Sequence, residues 1–147
     1  MATLTTKIKE EVTLSGKLYG NETTKTHADI TKVKQTTVQV AASGNDDLFD
    51  FASATYGIGT IAFNKAKDIR ITNLDASETL FLNVYLDLGT DEYILFQVPP
   101  KRSWLLSEDS MEGSGAATTT LDQINAIKAQ CSGSGRIQAE IFVAEIT

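Results

Sequence analysis

The sequence predicts an all-β fold of antiparallel strands. Three observations carry this: four segments that alternate apolar and polar residues, turn chemistry at their ends, and no long helical periodicity. In Leu80-Phe81-Leu82-Asn83-Val84-Tyr85-Leu86-Asp87-Leu88 every even position is a branched aliphatic, so a period of two puts all five on one face. Phe81, Asn83, Tyr85 and Asp87 belong to the other face. Asp68–Asn73, Glu92–Val98 and Arg136–Ile146 repeat the pattern. Eight to ten short strands at this spacing suit a two-sheet sandwich or a barrel.

Residues 4–14 place Leu4, Thr6, Ile8, Glu10, Val12 and Leu14 on one face and Thr5, Lys7, Lys9, Glu11 and Thr13 on the other. This is a half-buried strand, able to close its own sheet or to be lent to an adjacent molecule through main-chain hydrogen bonds. The polar stretch Tyr19–His27 reads as a loop separating an N-terminal arm, residues 1–20, from a single β-sandwich domain, residues 21–147. A second strand is expected at Thr36–Ala42, a short third at Asp47–Phe51 and a fourth at Ile58–Phe63. Asn73–Ser77 supplies a turn, and Leu88–Asp91 a tight hairpin into Tyr93–Val98. Pro99-Pro100 must end that strand, because proline lacks a ladder donor and restricts the residue before it. Arg102–Leu106 restarts one.

Ser107–Thr120 is low in complexity and reads as an exposed loop. Thr120–Ile124 has the residues to cap a helical turn, but Ile127–Cys131 alternates, so strand is the expectation there. Gly133-Ser134-Gly135 then reads as a hairpin into the last strand.

At 147 residues the chain suits one domain burying roughly 70% of its unfolded surface, with no need of a disulfide or metal to fold. Its single cysteine, Cys131, reads as a buried strand thiol. The first residues carry no apolar core of signal-peptide length, and no later run approaches about 18 apolar residues, so neither secretion nor membrane association is expected. The net charge of −6 argues against wrapping a phosphate backbone, so nucleic acid is not an expected partner. Residues 1–34 hold six lysines against four acids, whereas the remainder holds seven basic against fifteen acidic residues. A basic leading segment on an acidic body suggests docking on a neighbouring copy.

Catalytic equipment is sparse. A Ser-His-Asp or Cys-His unit must use His27, the only histidine, and a surface position in the polar loop is the expectation for it. One histidine and one cysteine make a tetrahedral zinc site improbable. Gly57-Ile58-Gly59-Thr60-Ile61-Ala62 matches a relaxed dinucleotide fingerprint, but the following Asn64-Lys65-Ala66-Lys67 is too short for the helix that pattern needs. No cofactor is therefore expected. Acids recur at Asp46-Asp47, at Asp87 with Asp91-Glu92, and at Glu108-Asp109 with Glu112, without the twelve-residue calcium-loop pattern; solvated turn acids are the reading. Trp104, beside Lys101 and Arg102, is the candidate exposed contact aromatic. With Lys7, Lys9 and Lys17 on the arm, these residues form the expected partner-binding set.

The series Ile69-Arg70-Ile71-Thr72-Asn73, Phe81–Leu86, Tyr93–Pro100, Ser103–Leu106 and Gln138–Ala144 resembles small jelly-roll virion proteins of tailed bacteriophages, over about residues 67–147. The resemblance implies a jelly-roll-like β-sandwich and a non-enzymatic virion subunit, made in the host cytoplasm and assembled on the particle. A capsid decoration or cement protein is the implied role, with the major capsid protein or other virion proteins as partners and a homo-oligomeric state. The other reading is a carbohydrate-binding or receptor-binding module on a phage tail or fibre.

Overall fold

The computed structural model describes residues 2–50, 66–86, 93–107 and 124–146. Their secondary structure is β throughout: β1 (Ala2–Leu14), β2 (Lys17–Ala41), β3 (Asp46–Asp50), β4 (Ala66–Asn73), β5 (Leu80–Leu86), β6 (Tyr93–Val98), β7 (Ser103–Ser107), β8 (Ile124–Cys131) and β9 (Arg136–Ile146). One sheet has the order β1-β2-β9-β4-β7 and the other β3-β8-β5-β6, every pair antiparallel. With β1 set aside, the remaining eight strands place the first, eighth, third and sixth in one sheet. The second, seventh, fourth and fifth form the other. This interleaving is that of a jelly roll, the double-sheet solution expected of many short strands.

The alternation decides which residues fill the space between the sheets. Leu80, Leu82 and Val84 of β5 pack inward with Ile127, Ala129 and Cys131 of β8, against Ile69 and Ile71 of β4 and Ile137, Ala139, Ile141 and Val143 of β9. Burying each large aliphatic contributes about 1.5–3 kcal/mol, so β9, β4, β8 and β5, which supply most of the largest fully buried side chains, hold most of the stabilising area. Cys131 is buried and free, its thiol donating to the Gly135 carbonyl at 3.4 Å. Asn73 is fully buried where β4 leaves its sheet. Its amide donates to the carbonyls of Glu78 at 2.8 Å and Val98 at 3.0 Å, tying the crossover to both sheets.

Strand at Ile127–Cys131, which β8 extends back to Ile124, termination of β6 at Val98 before the prolines, and the β5–β6 pairing all match the sequence reading. Two expectations are corrected. Residues 19–27 are not a loop: they lie inside β2, a strand of 25 residues whose final third is the expected second strand. The Gly133–Gly135 segment is not a hairpin turn either, because β8 and β9 belong to different sheets and the chain crosses the end of the sandwich there. The expected strand at 58–63, the fingerprint at 57–62, the turn at 88–91, the acids within 87–92 and 108–112, and all of the loop expected at 107–120 except Ser107, which is the buried last residue of β7, lie outside the described residues.

Candidate functional site

What sets this molecule apart from a closed sandwich is the first hairpin. β9 pairs with β2 only from Ile30 to Ala41, whereas β1 pairs with β2 from Ala2↔Ile30 out to Leu14↔Lys17. The two strands therefore run beyond the sheet as a two-stranded ribbon, roughly 40 Å long at about 3.3 Å per residue. Ser15 (φ 52°) and Gly16 (φ 77°) close it, both in the left-handed region that a two-residue hairpin turn of type I′ requires. At its inner end β2 shifts register between Ile30 and Lys32, next to Asp29 at φ 61°. A bulge and a left-handed residue re-aim a strand, and both fall where the ribbon leaves the pairing with β9.

Directly opposed residues share a face. One face of the ribbon carries Ile8, Val12, Leu14 and Tyr19; the other carries Lys7, Lys9, Glu11 and Leu18. Val12, Leu14 and Leu18 are 60%, 64% and 61% exposed, so the outer third of the ribbon is apolar on both sides. Its charges are internally balanced. Lys7 pairs with Glu22 at 3.3 Å and Lys9 with Glu11 at 3.0 Å, and the Lys17 ammonium lies 5.2 Å from the Tyr19 ring centre. Gly20 leaves no room for a side chain: a Cβ there falls 2.2 Å from the Glu10 carbonyl oxygen. Around it Glu10, Glu11, Val12, Tyr19 and Asn21 line an open depression of about 360 Å³.

A buried polar cluster pins the ribbon's root. Lys25 donates to the Ser107 hydroxyl, and His27 Nε2 lies 3.2 Å from the same oxygen. Ser107 stands opposite Asp68 across the β4–β7 ladder, and both are buried. Burial pushes the Asp68 carboxyl above its ordinary range, opposed by the charges of His27 and Lys25, a hydrogen bond with Thr6 and the charge of Arg70; its Oδ2 has no hydrogen-bond partner. His27 is therefore not the surface histidine of the sequence reading, and an acid and a hydroxyl do stand near it. Their residue types are those of a nucleophilic triad. Yet Ser107 is 3% exposed and its hydroxyl already accepts from Lys25, so the arrangement closes the serine in and ties the ribbon to the body.

The expected partner-binding residues fall in two places. Lys7, Lys9 and Lys17 are on the ribbon, whereas Lys101, Arg102 and Trp104 lie at the start of β7, the end remote from Ser107 and the ribbon root. Lys101 (φ 58°) donates its ammonium to the Leu74 carbonyl, and the Arg102 carbonyl accepts from Asn73 N at 2.9 Å. Trp104 is not an exposed contact aromatic. It packs against the core, its ring centre 5.3 Å from that of Phe96. Nor is the ribbon basic: residues 2–29 hold four lysines against four acids, and the surplus of the first 34 residues is Lys32 and Lys34 at the edge of the body.

The sequence reading missed Leu18 and Tyr19 as exposed apolar residues and Asp68 and Ser107 as the ribbon's anchor. Ser15-Gly16 between two strand-forming runs was the available signal for the hairpin. On the outer face of the second sheet, Tyr85 and Tyr93 stand 5.2 Å apart with the Lys128 ammonium 5.3 Å from the Tyr85 ring centre. Asp46 accepts from Ala41 N at 2.6 Å and Asp47 pairs with Lys128 at 3.3 Å; among the described residues no cluster of histidine, cysteine and acids is suited to a metal ion. No described helix is long and apolar enough to cross a membrane. Comparison with models of known protein families, with curated proteins and with solved structures returns no match.

Proposed function

We propose that this chain is a non-enzymatic structural subunit of a phage virion, a capsid decoration or cement protein that binds the major capsid shell through protein–protein contacts. The observation that supports this reading best is the ribbon. A two-stranded hairpin with both faces in water is marginal by itself, and Val12, Leu14, Leu18 and Tyr19 at its outer end are large apolar side chains held in solvent. Such a feature gains its stability when it lies on another surface. The jelly roll supplies a rigid base, an architecture found in viral capsid and lectin domains alike, and fold alone does not choose between them.

The test replaces residues 9–22 by Asn-Gly between Ile8 and Thr23, a pair in the same phase as Leu14 and Lys17, and leaves the root intact. The full chain should copurify with particles in stoichiometric amount, and the shortened chain should not. Unchanged incorporation of the shortened chain sinks the docking role. The Tyr85–Tyr93 pair favours a second reading, a glycan- or receptor-binding module. Calorimetric binding of glycans that is lost in Tyr93→Ala would select it over cement.

A further inference from the structure

We infer that two copies of this chain pair edge to edge through β1, in one particular register, to form a four-stranded antiparallel arm. This rests on reading the ribbon as an assembly element and adds its first partner, a second copy. Among the described residues β1 is the terminal strand of its sheet. The turn of type I′ bonds Leu14 to Lys17, so even-numbered residues of β1 direct their backbone groups at β2. The N–H and C=O groups of Thr5, Lys7, Lys9, Glu11 and Thr13 therefore point away from the hairpin.

An open edge of this length is normally blunted, often by lysine. Here each blunting charge carries its own complement. Lys9 and Glu11 lie on one face, paired at 3.0 Å, so the edge presents plus and minus one step apart. A two-fold axis perpendicular to the sheet at Glu10 sets Lys9 of each copy opposite Glu11 of the other. The two intrastrand pairs then become a ring of four alternating charges. The same register sets Ile8 opposite Val12 twice, in the closely spaced non-hydrogen-bonded positions where side chains approach best. Those two residues are 49% and 60% exposed in the single chain. Centring the axis on Ile8 would instead oppose Lys7 to Lys9, and centring it on Lys9 would oppose Ile8 to Glu10. The Glu10 register leaves one unfavourable contact, Glu10 against its own copy. Pairing also turns a two-stranded ribbon into four strands that share the face carrying Ile8, Val12 and Leu14, past the three strands that an independently stable sheet needs in water.

The test is cross-linking and sedimentation of the full-length protein. Glu10→Cys places two thiols directly across the axis at a Cα separation of roughly 4.5 Å, within disulfide range. It should give a covalent dimer under mild oxidation, with Cys131 buried as an internal control. Lys9→Glu should weaken dimerisation about tenfold or more, because two ion pairs become two repulsions. Adding Glu11→Lys to the same chain should restore it, whereas loss of fold would not be rescued by a second charge change. A protein that sediments as a monomer and is not cross-linked by Glu10→Cys overturns the pairing, even if the shortened ribbon abolishes incorporation into particles. Cross-linking through Lys9→Cys in place of Glu10→Cys overturns the register. A dimer that behaves as described, with incorporation unaffected by shortening the ribbon, supports the pairing and sinks the docking role.

Discussion

Two carboxylates on the outer face of the same sheet respond to acid in opposite senses. Burial raises the Asp68 pKa, so the folded state holds that proton more tightly than the unfolded chain does. Its unfavourable contribution is absent below the unfolded carboxylate range and grows as pH rises through the folded value. Asp68→Asn should therefore stabilise the protein by about 1 kcal/mol near neutral pH, the scale of one unsatisfied buried acceptor. That gain should shrink as pH falls toward about 4; urea denaturation of both proteins at two pH values decides, and an equal gain at both counts against the burial argument. Glu140 is the reverse case. The Gln35 amide and the Arg70 guanidinium, each at 2.8 Å, hold its pKa low. Its contribution is present above the unfolded glutamate range and lost as pH falls through the folded value. Glu140→Gln should cost about 0.5–1 kcal/mol near neutral pH and nothing in acid, by the same measurement. At this scale the alternation correctly sorted Leu80, Leu82 and Val84 from Asn83 and Tyr85. His27 was misplaced because the polar stretch around it reads as a loop, and Trp104 because its basic neighbours outweighed the phase it shares with Leu106, which faces the core.

The ribbon depends on two glycines for different reasons. Gly16 supplies a positive φ, and Gly20 supplies the absence of a Cβ that would lie 2.2 Å from the Glu10 carbonyl. Gly20→Ala should force the strands apart locally and remove amide-exchange protection from the ribbon, leaving exchange in β9 and β5 as it was. Retained protection along residues 7–24 would show that the backbone absorbs the methyl group. The hairpin was readable from Leu14-Ser15-Gly16-Lys17, but residues 19–27 read as a loop for a physical reason. Period-two patterning is a record of burial on one face, and this ribbon is buried on neither beyond its root. The Ser132–Gly135 connection shows the complementary limit. Local chemistry specifies that the chain turns, while the packing of two sheets decides which one the next strand joins.

In the whole molecule these elements divide into parts of unequal stability. The sandwich core is built from Ile69, Ile71, Leu80, Leu82, Ile127, Ile141 and Val143, all at or near zero exposure, and none of them belongs to the ribbon. Beyond Lys25 and His27 the ribbon buries little apolar surface, so its opening free energy lies far below that of the body. The root cluster couples the two parts, because Thr6, Lys25 and His27 of β1 and β2 meet Asp68 and Ser107 of β4 and β7. Shortening the ribbon at residues 9–22 keeps that cluster. The shortened protein should therefore unfold at the same denaturant midpoint as the full chain, with a slightly smaller denaturant dependence for the surface removed. A drop in midpoint would mean that the outer ribbon supports the sandwich, and its exposure could then no longer be assigned to contact with a partner. An unchanged midpoint leaves the outer ribbon with no role in holding the fold, which is what the proposed docking role requires of a segment carrying Val12, Leu14, Leu18 and Tyr19 in solvent.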